Sequence, residues 1–265
     1  LGGYFIIDGK EKTVVSQEKF ADNMLYVRNV NDDKYLYSAE IRSVSENISK
    51  PIRTLSVKMI APTATFTNKN IVVNIPNVRS PVPLFIVFRA LGVISDKDII
   101  SYCLLDLDKY NSMIDIFIPS VHDASIILNQ QNALEYIALL TKGKGTRHVL
   151  EILSDYLLPH VGETNYVQKA YYLGHIVFKL LSVSTGLDPP TDRDNFKFKR
   201  IELVGSLLTD LYREYWSIQL RTIQLGFEKK LYYNQQMNHI MNILIQLLLM
   251  TSFQYILINA LTEEQ

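Results

Sequence analysis

Two pairs of carboxylates have the spacing that can do metal chemistry. Asp106 and Asp108 lie in "LLDLDKYN", and Asp192 and Asp194 lie in "TDRDNFKFKR". Carboxylates two residues apart can offer hard oxygen ligands to Mg²⁺, the cation of nucleotidyl transfer. Each pair also has a plainer explanation. "LLDLDKYN" reads as a helix end and turn, and Asp192 and Asp194 flank Arg193 and precede Lys197, so local ion pairing accounts for them. No metal site is expected from either. The five histidines are scattered without ligand spacing, which argues against zinc. No Gly-x-Ser-x-Gly occurs, and Cys103 sits among apolar helix residues, where a core role is expected. "KGKGT" (Lys142–Thr146) lacks the spacing of a phosphate loop and reads as a helix–helix connection. Catalysis by this chain alone is therefore not expected.

The basic residues are more informative. Lys10 and Lys12 follow a turn signal, and Lys197, Lys199 and Arg200 crowd a segment with six charged residues in ten positions, Thr191–Arg200. That segment runs from the Pro189-Pro190 pair into the apolar stretch "IELVGSLLTDLY". A solvated loop would explain the charge by default. A surface facing phosphates would explain it too, since lysine and arginine bind polyanions by releasing counterions without reading sequence. Lys197 and Lys199 would share one side if the segment were extended. With 27 basic and 27 acidic residues, the chain carries no general polyanion coat, but a local patch remains compatible with that balance.

The elements that must hold these residues change character along the chain. The first third reads as β. Tyr4–Ile7 and Thr13–Val15 flank the hairpin signal Asp8-Gly9, and "MLYVRNV", "KYLYSAEIR", "RTLSVKMI" and "NIVVNIP" follow as short strands. From about Ser80 the period becomes helical. Ser95 is placed as an N-cap with Asp96 and Asp98 in the first turn. Further helices are expected at Leu128–Thr141, Arg147–Leu158, Asn165–Ser184, Ile201–Arg221 and about Asn234–Leu261. In the third of these, Val167, Ala170, Tyr171, Gly174, Val177, Leu180 and Leu181 define an apolar face, and Asn165 with Gln168 approximates a capping box. The fold class is α+β, a β-rich first third followed by a helical region. The 265 residues suffice for one large domain or two ordinary ones. The turn-rich stretches near Lys142–Thr146 and Leu187–Asn195 are the candidate breaks, the second the better boundary. The last apolar stretch is interrupted by Gln and Asn, so a buried helix is expected rather than a membrane span. A lone cysteine suggests a reducing compartment. No signal peptide is visible, and the opening "LGGYF" suggests a piece of something longer.

Four strings carry a resemblance. "LGGYFIIDGKEKTVVSQE" (Leu1–Glu18), "PLFIVFRALGVISDKDI" (Pro83–Ile99), "LPHVGETNYVQKAYYLGHIVFKLL" (Leu158–Leu181) and "TDRDNFKFKRIELVGSLLTDLY" (Thr191–Tyr212) resemble, in order and separation, stretches of the second-largest subunit of multisubunit DNA-dependent RNA polymerases. The similarity is closer to the eukaryotic and archaeal forms than to the bacterial ones. It covers nearly the whole chain and implies a fragment in which a lobe domain is inserted into part of a protrusion domain. Residues 1–19 would be the first protrusion segment, 20–200 the lobe, and 201–265 the returning helical segment.

The resemblance implies a wall of the active-site cleft beside the RNA–DNA hybrid, with no catalytic residues of its own. Lys12 and Gln17 match the family's protrusion hairpin, and Lys199 and Arg200 match the last two basic residues of its "DHFGKKR" pattern. Lys197 joins them as nucleic-acid-facing, and Asp192, Arg193 and Asp194 are expected to support them by ion pairing. Asn195-Phe196-Lys197-Phe198 replaces the family's His-Phe-Gly-Lys, a departure that bears on the loop and on the reach of Lys197. No cofactor is expected in this fragment. The resemblance implies that Mg²⁺ and Zn²⁺ are held elsewhere in an intact polymerase. The implied partners are the largest and small polymerase subunits, template DNA, the hybrid, and initiation or elongation factors on the lobe, with no membrane. A nuclear location is implied, or a virion or cytoplasmic viral factory, since a residue usage rich in Ile, Asn, Lys and Tyr fits an AT-rich genome such as that of a large DNA virus. Two rivals stand beside this: a stand-alone protein-interaction module with no nucleic-acid role, and a metal-dependent nuclease using Asp192 and Asp194.

Overall fold

The computed structural model describes residues 2–47, 50–62, 68–143 and 145–233. The helix expected at about Asn234–Leu261 lies outside these residues. Strands come first: β1 (Tyr4–Ile7), β2 (Lys10–Thr13), β3 (Gln17–Phe20), β4 (Leu25–Asp32), β5 (Tyr35–Ser43), β6 (Arg53–Ile60), β7 (Ile71–Asn74) and β8 (Val82–Pro83). Helices follow: α1 (Leu84–Ala90), α2 (Asp96–Leu104), α3 (Asn111–Ile114), α4 (Ile118–Asp123), α5 (Gln130–Leu139), α6 (Thr146–Asp155) and α7 (Tyr166–Ser184). A short strand, β9 (Lys199–Glu202), and a long helix, α8 (Val204–Tyr233), complete the order. The class is α+β. No helix among the described residues is long and apolar enough to cross a membrane.

The contacts divide the chain into two compact units, Ala21–Phe198 and, separately, Leu1–Phe20 with Lys199–Gln265. The first unit is built on a five-stranded antiparallel sheet in sequential order, β4 to β8. Its strands alternate as a sheet with one buried face requires: Leu55, Val57 and Met59 of β6 are buried, opposite Ile41, Ala39 and Tyr37 of β5. α7 packs on β4, β5 and β6 and against α2, while α1, all of whose residues are buried, packs on β7, β8 and α5.

Helix starts follow local chemistry. Asn165 Oδ1 accepts the Gln168 N–H at 3.3 Å, capping α7. Ser95 occupies the N-cap position of α2 but makes no side-chain cap bond. The Asp96 carboxylate, beside that N-terminus, accepts instead from the buried Arg89 guanidinium at 2.5 Å. Arg89 also donates to the backbone carbonyls of Ala124 (2.6 Å) and Ile127. The buried face of α7 holds Ala170, Gly174, Val177, Leu180 and Leu181 of the expected face and departs from it at two positions. Val167 and Tyr171 are 57% and 46% exposed, while Leu173, Ile176 and, unexpectedly, Lys169 are inside. Lys169 Nζ donates to the carbonyls of Leu153 and Ser154, both at 2.7 Å, near the end of α6. A lysine there satisfies carbonyls that the helix leaves without partners.

In the second unit, β1 and β2 form a hairpin over Asp8-Gly9, both at positive φ (51° and 75°). Such a two-residue turn sets the second strand to begin at once, so β2 is Lys10–Thr13 rather than Thr13–Val15. β3 pairs antiparallel with β9. Ile201 and Glu202 are therefore strand, not helix, and α8 starts at Val204 and runs past Arg221 to Tyr233.

Candidate nucleic-acid interface

The predicted nucleic-acid-facing residues fall on three strands and on the 3₁₀ turn that carries Lys197. Lys12 stands on β2, opposite Phe5, and is half-buried. Gln17 opens β3 opposite Glu202 and is exposed. Lys199 and Arg200 lie on β9, opposite Phe20 and Lys19. The β3–β9 ribbon thus brings together residues from both ends of the described chain, which linear spacing could not show.

Its charges are organised as diagonal cross-strand pairs. Lys199 Nζ meets Glu18 Oε1 at 2.6 Å, and Lys19 Nζ meets Glu202 Oε1 at 2.6 Å. Lys199 Nζ also lies 4.3 Å from the Phe20 ring centroid, and only 15% of its side chain is exposed. Arg200 is exposed and donates to the Lys199 carbonyl at 2.7 Å. Three cations against two carboxylates leave the ribbon net positive at neutral pH.

Residues 191–198 belong to the other unit and form a pinned loop. Thr191 donates its N–H to the Val27 carbonyl at 2.7 Å, and its Oγ1 accepts the Val27 N–H at 3.1 Å. Asp192 Oδ1 accepts the Asp194 N–H at 3.0 Å, and Asn195 Oδ1 accepts the Lys197 N–H at 3.1 Å. Both side chains close local turns on the backbone. Arg193 lies 5.1 Å over the Tyr26 ring, and Lys197 lies 4.7 Å over Phe198. Lys197 sits in a 3₁₀ turn, Phe196–Phe198, whereas Lys199 opens a strand, so the segment is not extended through both. The alternation that would have set them on one side does not apply.

A cleft of about 460 Å³ opens beside this loop, lined by His175 and Lys179 of α7, Asp188, Thr191, Asn195 and Lys197 over an apolar floor. Lys179 pairs with Asp188 at 3.1 Å. Burial, with Lys179 nearby, pushes the His175 imidazole below its ordinary pKa. The sequence reading missed this cleft, because its lining comes from β4, α7 and the loop.

The remaining candidates are structural. Asp106 Oδ1 accepts the Lys109 N–H at 3.1 Å, closing the turn after α2. Cys103 is buried, and burial pushes its thiol well above the ordinary range. Among the described residues, no three His, Cys, Asp or Glu side chains stand together to hold a metal ion.

Residues 21–202 match the family described as RNA polymerase Rpb2, domain 2, and the chain belongs to that family. It is 39% identical over 224 residues to DNA-directed RNA polymerase II subunit 2 of Arabidopsis thaliana, covering 80% of this chain and 19% of that protein. It is 33% identical over 246 residues to subunit RPB2 of Schizosaccharomyces pombe, covering 89% and 20%. Subunit Rpo2 of the archaeon Saccharolobus solfataricus is 30% identical over 236 residues, covering 86% and 20%. The chain spans about a fifth of the length of these relatives.

Proposed function

We propose that this chain works as a section of the second-largest subunit of a DNA-directed RNA polymerase, lining the active-site cleft next to the DNA and the RNA–DNA hybrid. The observation that carries the reading is the family match across 21–202, which ends within the basic strand β9. On this reading residues 20–200 are the lobe, and 1–19 with 201–265 are protrusion. Arg200, Lys199, Lys12 and Gln17 present donors to phosphates, and Lys197 does so from the loop. Such contacts position a duplex without reading its bases. Bond making, with its Mg²⁺, and the structural Zn²⁺ belong to other parts of the assembly, and the largest and small subunits are partners of this section. Initiation or elongation factors would dock on the lobe. The place of action is the nucleus, or a viral factory if the polymerase is viral.

One observation favours the rival, a protein-interaction module. Glu18 already neutralises Lys199, as a surface with no polyanion to meet would arrange. Titrating the chain with labelled duplex DNA at several salt concentrations separates the two. Two or three phosphate contacts predict a log–log salt slope of about −2 to −3, and Lys199→Glu with Arg200→Glu should weaken binding at least about tenfold. Glu18→Gln should strengthen it by releasing Lys199. A flat salt response and no effect of charge reversal would leave the interaction module standing.

A further inference from the structure

We infer that the 196–198 turn is a stacking site for an unpaired nucleotide, with Phe196 as the platform and Lys197 as the phosphate partner. The inference rests on the nucleic-acid reading above and deepens it, from duplex phosphates to the faces of unpaired bases. Its starting point is an anomaly of placement. Phe196 is 86% exposed, while Phe198, two residues on, is 8% exposed and packs on Tyr26 with ring centroids 5.1 Å apart. One turn therefore splits two identical side chains, using one as an anchor and displaying the other.

The display is rigidly built. The Phe198 N–H donates to the Asn195 carbonyl at 3.0 Å, and the Phe198 carbonyl accepts from the Ala21 N–H at 2.7 Å. Asn195 Oδ1 holds the Lys197 N–H. Both flanks of Phe196 are thus fixed, so ordering the ring costs little when a ligand arrives. Lys197 also lines the 460 Å³ cleft, whose rim offers the Thr191 hydroxyl, the Asn195 amide and the His175 imidazole, along with the carboxylates of Asp188 and Asp192. An exposed aromatic ring one residue from a lysine that lines a cleft of mixed polarity is the recurring chemistry of single-strand binding, because every base has a π-face. A paired duplex hides those faces, so an exposed ring has nothing to stack on there.

The test is fluorescence anisotropy of the 265-residue chain with labelled oligothymidylate of about a dozen nucleotides, the span of one small binding fold. Matched duplex and abasic oligonucleotides, and deoxy and ribo forms, complete the series. Phe196→Ala should weaken single-strand binding about tenfold. It should leave the salt slope and duplex affinity unchanged, and it should have no effect on the abasic strand. Phe196→Trp should retain binding. The preferred sugar assigns the site to the DNA or the RNA strand. If Phe196→Ala leaves single-strand affinity intact, or weakens duplex and abasic strands equally, the stacking site is wrong, while a response to Lys199→Glu with Arg200→Glu would keep the cleft-wall reading. If no oligonucleotide binds, both fall together.

Discussion

Lys169 shows how much one side chain can hold at once. It is fully buried, and its ammonium is spent on two carbonyls at the end of α6. Burial lowers its pKa from 10.5 to about 8. The unfolded chain therefore binds the proton more tightly than the fold does between about pH 8 and 10.5. Stability from this group should rise with pH through that window. Lys169→Met should flatten the rise, measured as urea midpoints at a series of pH values; an unchanged slope would refute the assignment. His160 behaves in the same sense at lower pH. Ser43 Oγ lies 2.7 Å from its Nδ1 and accepts its backbone N–H at 3.3 Å, and burial together with Lys169 holds the ring below its usual pKa. Its contribution is present above the unfolded value near 6.5 and is lost as the pH falls through the depressed folded pKa.

At the scale of elements, the α2–α7 crossing depends on a missing side chain. A Cβ on Gly174 would lie 2.4 Å from the Tyr102 carbonyl oxygen, a backbone atom that cannot swing aside. Gly174→Ala should gain about 1 kcal/mol of helix propensity. It should lose more to forced separation of the helices, overpacking of this kind costing about 1–3 kcal/mol. A net loss is expected in chemical denaturation, and a more stable variant would show that the helices can part freely. The same crossing stacks Tyr102 on Tyr171 at 4.0 Å, which explains how Tyr171 can be half outside yet ordered.

For the whole molecule, the division into units makes a prediction of its own. Ala21–Phe198 contains the five-stranded sheet, α1 to α7 and the buried cluster from Val27 to Val183. A continuous segment with its own core should fold alone. Expressed by itself, it should unfold in urea in one cooperative transition, with circular dichroism and tyrosine fluorescence coinciding. Non-coincident transitions would mean that this core needs the other unit.

What the sequence determined by itself was what neighbours in the chain decide. Asp8-Gly9 dictates its turn because both residues tolerate positive φ, Asn165 caps α7 three residues ahead, and alternation in "RTLSVKMI" makes a half-buried strand. The four family-like strings were legible for the same reason, since similarity is read along the chain. The tertiary structure decided the rest. Lys199 meets Glu18 across 181 residues, and Arg89 and Lys169 are buried where a charge in an apolar run would ordinarily read as exposed. Phe196 and Phe198 are indistinguishable by type, and only the packing of Tyr26 makes one of them core. The physical reason is that a charge or a ring is priced by its surroundings, and those surroundings come from distant parts of the chain.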